Sequence, residues 1–209
     1  ERAVNMKIQP ALATEWKTTD PNTWVFKLRE DVKFSDGSKM TSEDVVFSVL
    51  RAKQRTSDFK EYISTISGVE AVGDYSVKII TSKPNPILLN QLSNIFIMSK
   101  AWSEKNFAMS PQNWDAGQET FSASNALGTG PFKVTLREPN TKTVFKRNKH
   151  WWGEMKDKKV TQIELLPIKN AATRVAALLS GEIDIVTDAP VQDLKRIGSS
   201  SGHKVESTA

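Results

Sequence analysis

A mixed α/β fold, with strands and helices interleaved along the chain, is predicted by three features of the sequence. Runs of period two mark strands: Trp24, Phe26 and Leu28 alternate with Val25 and Lys27, and Phe132, Val134 and Leu136 alternate with Lys133 and Thr135. Apolar pairs at i,i+4 spacing, Val45 with Val49 and Val46 with Leu50, mark a helix. Beyond residue 160 the pattern runs strand, helix, strand, which favours parallel pairing within a mixed sheet.

Taken in order, Pro10 to Trp16 reads as a short helical turn ending in an aromatic anchor, and Asp20-Pro21-Asn22 as a turn into the strand at 24–28. Val32 and Phe34 carry a second extended piece into the turn Ser35-Asp36-Gly37. Thr41 is an N-cap for a helix over 42–55, with Glu43 and Asp44 in the first turn, where the helix dipole favours acids. Phe59, Tyr62, Ile63 and Ile66 follow at helical spacing and are expected in the core. Gly73-Asp74 joins 69–72 to 75–81 as a two-residue hairpin, Pro84-Asn85-Pro86 breaks the strand, 87–92 forms a short helix and 95–98 a buried strand. Trp102 and Phe107 close this unit, and 110–126, rich in Ser, Gln, Asn and Gly, reads as a surface connection.

The stretch 125–152 organises what remains. Gly128 and Gly130 flank Thr129 and precede Pro131, so either glycine can take positive φ; with positive φ or a close backbone approach in the turn, Gly130 is expected to be intolerant of a valine, and Lys142 to face water. A Gly-x-Gly can cradle phosphate, but phosphate loops follow a strand and open a helix, whereas this one precedes a strand, which favours a structural turn. Glu138-Pro139-Asn140 then turns a hairpin whose second strand covers Thr143, Phe145 and Arg147. A strand over 160–168 follows. Asn170 caps a helix over 171–180 from which Arg174 points outward and which Gly181 stops. Ile183 and Ile185, a short helix at 191–197, and an extended 204–206 complete the pattern.

Composition bounds the function. With 209 residues and 38% hydrophobic residues the chain can bury a core as one large or two small domains, and the weak periodicity of 110–124 suggests a division into 1–115 and 116–209. No run of 18 apolar residues and no charged-then-apolar leader is present. The absence of cysteine excludes disulfides, iron–sulfur ligation and a thiol nucleophile, and suits an exported protein; with only His150 and His203, no metal site and no cofactor is expected. The net charge of +5 raises, as the alternative function, a basic nucleic-acid or anionic-surface module. Yet Lys142, Lys146, Arg147, Lys149, Lys156, Lys158 and Lys159 interleave with Glu138, Glu154 and Asp157, and the hairpin bases alternate as a solvated face does. A hydrolase finds no Gly-x-Ser-x-Gly and no His-Glu-x-x-His, and Asp36, Asp44, Asp184 and Asp188 each have a turn, cap or strand-edge role, so no catalysis is expected.

Three strings carry a resemblance. LREDVKFSDGSKMTSEDVVFSV, then GTGPF with a hairpin and RNKHWWG, then PIKNAATRVAALLSGEIDIV occur in the order found in the family 5 extracellular solute-binding proteins, receptors of peptide and nickel ABC importers, which this chain resembles. The matching motif residues are Gly128, Thr129, Gly130, Pro131, Arg147, Asn148, Trp151, Trp152 and Gly181. The resemblance implies a periplasmic-binding-protein-like lobe of class II, type C, with 1–115 an inserted small α/β subdomain and 116–209 part of the hinge-proximal sheet. It further implies a second lobe outside this chain. The implied protein is a monomer, periplasmic or membrane-anchored outside the cell, that closes two lobes on a solute and presents it to ABC permease subunits. A short peptide is the implied solute, with nickel chelates, haem and oligosaccharides behind it, and the charged anchors for peptide termini would come mainly from the other lobe. On this chain the resemblance places solute contacts at Phe59, Tyr62, Asn94 and Phe96.

Overall fold

The computed structural model describes residues 1–117, 119–154 and 159–207. Lys156, Asp157 and Lys158, counted above among the interleaved charges, lie outside the described residues. The chain divides into two compact units, 1–164 and 165–209, and residues 110–124 fall inside the first.

The first unit is built on a four-stranded sheet, β1 (Ala13–Asp20), β2 (Thr23–Leu28), β3 (Ile66–Ala71) and β4 (Ser76–Thr81), in the order β1-β2-β4-β3 with antiparallel ladders. Helix α1 (Ser42–Ala52) covers it. Phe26, Leu28, Val49, Ile63, Ile66, Val77 and Ile79 are all buried in one cluster, joined by Leu88 from the short α2 (Leu88–Leu92). At roughly 1.5 to 3 kcal/mol for each large apolar side chain, this cluster is the main source of the unit's stability. A smaller cluster of Val32, Phe34 and Met40 forms below the turn at Gly37, whose φ of +98° only glycine adopts without strain.

One carboxylate orients two helices. Asp44 accepts the Thr41 N–H at 2.8 Å, closing the start of α1, and with its other oxygen accepts the Lys100 N–H at 2.9 Å, where α3 (Lys100–Lys105) begins. Two charge-assisted bonds to otherwise orphaned amides are a strong reason for an acid here. The β3–β4 turn docks on the same helix end: Ser42 donates its N–H to the Asp74 carbonyl and its hydroxyl to the Gly73 carbonyl, at 2.8 and 2.6 Å.

Several expectations are corrected. Residues 13–16 are strand, not helix, because Trp16 pairs with Phe26 and Thr18 with Trp24 across the β1–β2 ladder; pairing outweighs the local pattern. Helix α1 stops at Ala52, and Leu50 faces solvent. The β3–β4 loop spans 72–75 rather than two residues, its carbonyls being spent on Ser42 and Leu28. Residues 95–98 form no strand, and Phe96 is exposed. Phe107 is also exposed, and sits at φ +53° just past α3 while the Ala108 N–H donates back to the Ser103 carbonyl, the geometry of a left-handed helix stop.

A second sheet holds β5 (Phe132–Glu138), β6 (Lys142–Arg147) and β7 (Gln162–Leu165), in that order. The β5–β6 hairpin forms as read, with Asn140 at φ +61° in its turn, although Lys142 is half-buried opposite Glu138.

The second unit is organised by α5 (Ala171–Ser180) and α6 (Leu194–Ser199), with Val175, Ala177 and Ile197 buried. Asn170 caps α5 by accepting the Thr173 N–H at 3.0 Å, and Gly181 stops it at φ +78°. Arg174 does not point outward: its guanidinium donates to the Ile168, Lys169 and Asp188 carbonyls, holding the segments that enter and leave the helix. The strands expected at 183–185 and 204–206 do not form, so the strand, helix, strand pattern gives no βαβ unit, and Ile185 is exposed.

Arg51 is the cross-brace of the first unit. From α1 it donates to the Ala108 carbonyl at 3.0 Å, the Ser110 carbonyl at 2.9 Å and the Ser122 hydroxyl at 3.3 Å, fastening both ends of the 110–122 segment. Its guanidinium pKa lies below the ordinary value because burial penalises the charge. Replacing it by Ala should cost about 1 to 3 kcal/mol in denaturant unfolding and speed proteolytic cutting between 110 and 124. Unchanged stability and cleavage would show that the brace carries no load.

Candidate solute cavity

A cavity of about 630 Å³ opens in the first unit. That is the size of an ordinary small-ligand pocket. Its floor is the face of the first sheet, with Trp16, Phe26, Leu28, Val77 and Ile79; Val45 and Val49 of α1 and Leu89 and Leu92 of α2 form one wall, and Ile95, Phe96 and Ile97 the adjoining one. Across from them stand Gly128, Thr129, Gly130, Pro131, Trp151 and Trp152. Apart from Glu1, no lining side chain among the described residues is charged. Such a surface gains by taking up apolar matter and offers few partners to a buried charge.

The glycine side of the cavity is held by Asn148, which is buried at 4% exposure. Its side-chain amide donates to the Gly130 carbonyl at 2.8 Å, its own N–H donates to the Pro131 carbonyl at 2.8 Å, and its Oδ1 accepts the His150 N–H at 2.9 Å. The loop before the hairpin and the loop after it are thus one piece. A further bond from the Ser35 N–H to the Gly128 carbonyl at 2.9 Å ties that piece to the turn at Gly37.

Neither Gly128 nor Gly130 takes the positive φ open to it. A Cβ at Gly128 would meet nothing within 4 Å, and one at Gly130 only the Phe132 carbonyl at 4.0 Å. Bare backbone here borders open space rather than relieving strain. The glycine that packing does require is Gly153, where a Cβ would lie 2.5 Å from the Trp151 ring.

Trp151 and Trp152 have ring centres 6.3 Å apart, and the Arg29 guanidinium lies 4.7 Å from the Trp152 centroid, a cation–π contact. Arg29 also grips Asp31 through two bonds of 3.0 and 3.1 Å and thereby holds its carboxyl below the ordinary value. A lowered pKa means that this bond contributes in full above the unfolded carboxylate's pKa, and that the contribution is lost as pH falls through the lower folded value. Trp152 emission should accordingly change below about pH 4, and a flat acid profile would detach the ion pair from the ring.

Of the residues the sequence nominated, three come together. Phe59 packs tilted on Tyr62 with centroids 6.3 Å apart and edge-on against Phe96, also at 6.3 Å. They are not core: Phe59 is 40% exposed, Tyr62 43% and Phe96 75%, and Phe96 belongs at once to this cluster and to the cavity wall. Asn94 does not line the cavity; it accepts from Arg2 and donates to the Asn90 and Gln91 carbonyls, finishing α2. Reading the sequence missed Trp16, Ile95 and Ile97. Trp16 is placed there by its pairing with Phe26 across the β1–β2 ladder, and the two isoleucines sit in irregular backbone with no periodicity to find.

The model for Bacterial extracellular solute-binding proteins, family 5 Middle, matches residues 7–209. The chain belongs to this family. Among curated family 5 relatives, the periplasmic murein peptide-binding protein MppA of Escherichia coli is 28% identical over 203 residues, covering 88% of this chain and 36% of that protein. Among solved structures, AgaA of A. tumefaciens R10 in complex with agropinic acid matches with a TM-score of 0.82 at 25% identity, and NikZ of Campylobacter jejuni in complex with Ni(L-His) with 0.80 at 26%. Each match covers 96% of this chain and 39% of the other. The chain thus spans little more than a third of the length of these family 5 proteins. Among its described residues no three His, Cys, Asp or Glu side chains could hold a metal ion, and no helix is long and apolar enough to cross a membrane.

Two pairs of substitutions test the site's scaffold. Asn148→Ala strands the Gly130 carbonyl and the His150 N–H and should cost about 1 to 3 kcal/mol, while exposed Lys146→Ala stays within about 0.5 kcal/mol. Similar melting temperatures would refute the staple. Gly153→Val should displace the Trp151 ring and shift its emission, whereas Gly130→Val is expected to be mild.

Proposed function

We propose that this chain supplies one wall of the solute site in a two-lobed receptor that captures a short peptide outside the cytoplasmic membrane and delivers it to an ABC permease. The observation that carries this reading is the cavity of about 630 Å³ whose wall includes Phe96, which in turn packs on the exposed Phe59 and its neighbour Tyr62, in a chain of a solute-binding family. Capture is binding without chemistry. Affinity comes from closing a second surface over the first, and the closed state is what a permease would distinguish. A peptide is favoured by the name of MppA and by a wall that, Glu1 apart, gives apolar contact without charge. The receptor works as a monomer, with the two subdomains 1–115 and 116–209 forming part of its first lobe.

One wall alone binds poorly. Losing half of the contacts removes several kcal/mol, and each 1.4 kcal/mol is about tenfold, so a micromolar receptor should fall to the millimolar range or beyond when reduced to these 209 residues. Calorimetry with a peptide library on the chain and on the two-lobed receptor checks this. Equal affinities would place the whole site within the chain and end the two-lobe reading. Affinity that falls steeply with salt would instead indicate phosphate contacts.

A further inference from the structure

We infer that the cavity is a selectivity pocket for an apolar side chain of the solute, entered across the bare backbone of Gly128 and Gly130 and past the rim residue Phe96. The inference rests on the reading of the chain as a peptide-receptor wall and adds which peptides it prefers. Three independent observations lead to it.

The first is the lining. Trp16, Leu92, Ile95 and Trp151 line most of the space, with Glu1, Gln9, Ser93 and Thr129 the polar exceptions, so a charged or amide side chain placed among the apolar groups would give up water for few hydrogen bonds. The second is the glycine pair. Glycine is ordinarily required by a positive φ or by a neighbour where Cβ would stand, and neither holds at 128 or 130. What the missing side chains leave is room, which suits close approach of a ligand to the backbone. The third is rigidity. Asn148 fixes the Gly130 and Pro131 carbonyls and Ser35 fixes that of Gly128, so the ledge is in place before a ligand arrives and little ordering cost is left to binding.

The competing occupant is an apolar segment of polypeptide outside these 209 residues, and the test separates the two. The methyl resonances of Leu92 and Ile95 are followed while the chain, and the two-lobed receptor, are titrated with Gly-X-Gly tripeptides in which X is Leu, Phe, Asn, Asp or Lys, and separately with benzyl alcohol. The pocket predicts at least tenfold tighter binding for Leu and Phe than for Asp and Lys in both proteins. Gly130→Leu, which fills the mouth where a Cβ meets nothing closer than 4.0 Å, should abolish the preference, and Lys146→Ala should leave it intact. Tripeptides that bind alike whatever X is would overturn the pocket and leave the receptor reading standing. Preference in the chain but not in the receptor would also overturn it, by assigning the cavity to another segment. Methyl shifts with benzyl alcohol and none with any tripeptide would keep an apolar pocket while removing the peptide reading on which the selectivity rests.

Discussion

The geometry of the candidate site depends on one buried amide. Asn148 makes three hydrogen bonds within a few residues of the cavity mouth, and through them the Gly-Thr-Gly-Pro loop and the tryptophan pair, separated by a full hairpin in the chain, become one rigid edge. Asparagine is suited to this, since its side-chain nitrogen can donate to one backbone carbonyl while its oxygen accepts another backbone N–H. Aspartate there would face the Gly130 carbonyl with its own lone pairs, and a hydrophobic residue would leave both backbone groups without partners. The hairpin between serves as the spacer that brings the two loops together.

Beyond that edge, the cavity exists because two apolar surfaces of the first unit stop short of each other. The sheet face buries Phe26, Val77 and Ile79 against α1, but the irregular run through Ile95 and Ile97 passes beside the sheet without pairing to it. Asp44 contributes at a distance. By orienting α1 and α3 together it fixes where the 95–99 segment ends, and the Ser48 hydroxyl reinforces this by accepting the Met98 N–H at 2.8 Å. The space is therefore set by hydrogen bonds around its border more than by packing inside it.

Much of the fold was legible in the sequence where local chemistry and tertiary demand agreed. The β5–β6 hairpin, the Thr41 start of α1, and α5 between Asn170 and Gly181 all carry their own punctuation, and they appear as read. Legibility failed where long-range pairing decided the outcome. Trp16 became a strand residue because Phe26 lies opposite it, and Arg174 turned inward because three carbonyls needed a donor. The site divides the same way. Phe59, Tyr62 and Phe96 were nominated by resemblance and do meet, yet their meeting depends on a turn from one segment and an irregular stretch from another, which no periodicity in either segment announces. The glycines were noticed for a conformation they do not have, and matter for the space beside them.

The central claim, that a solute side chain enters between the Phe96 rim and the glycine ledge, is most directly tested by photo-crosslinking. A tripeptide whose middle residue is a diazirine analogue of leucine would be irradiated with the protein and the attachment points mapped by mass spectrometry. The account predicts attachment within 92–97 and 128–131, reduced by competition with the unlabelled leucine peptide. Attachment concentrated on the 132–147 hairpin or within 165–209, with none at the cavity, would contradict it.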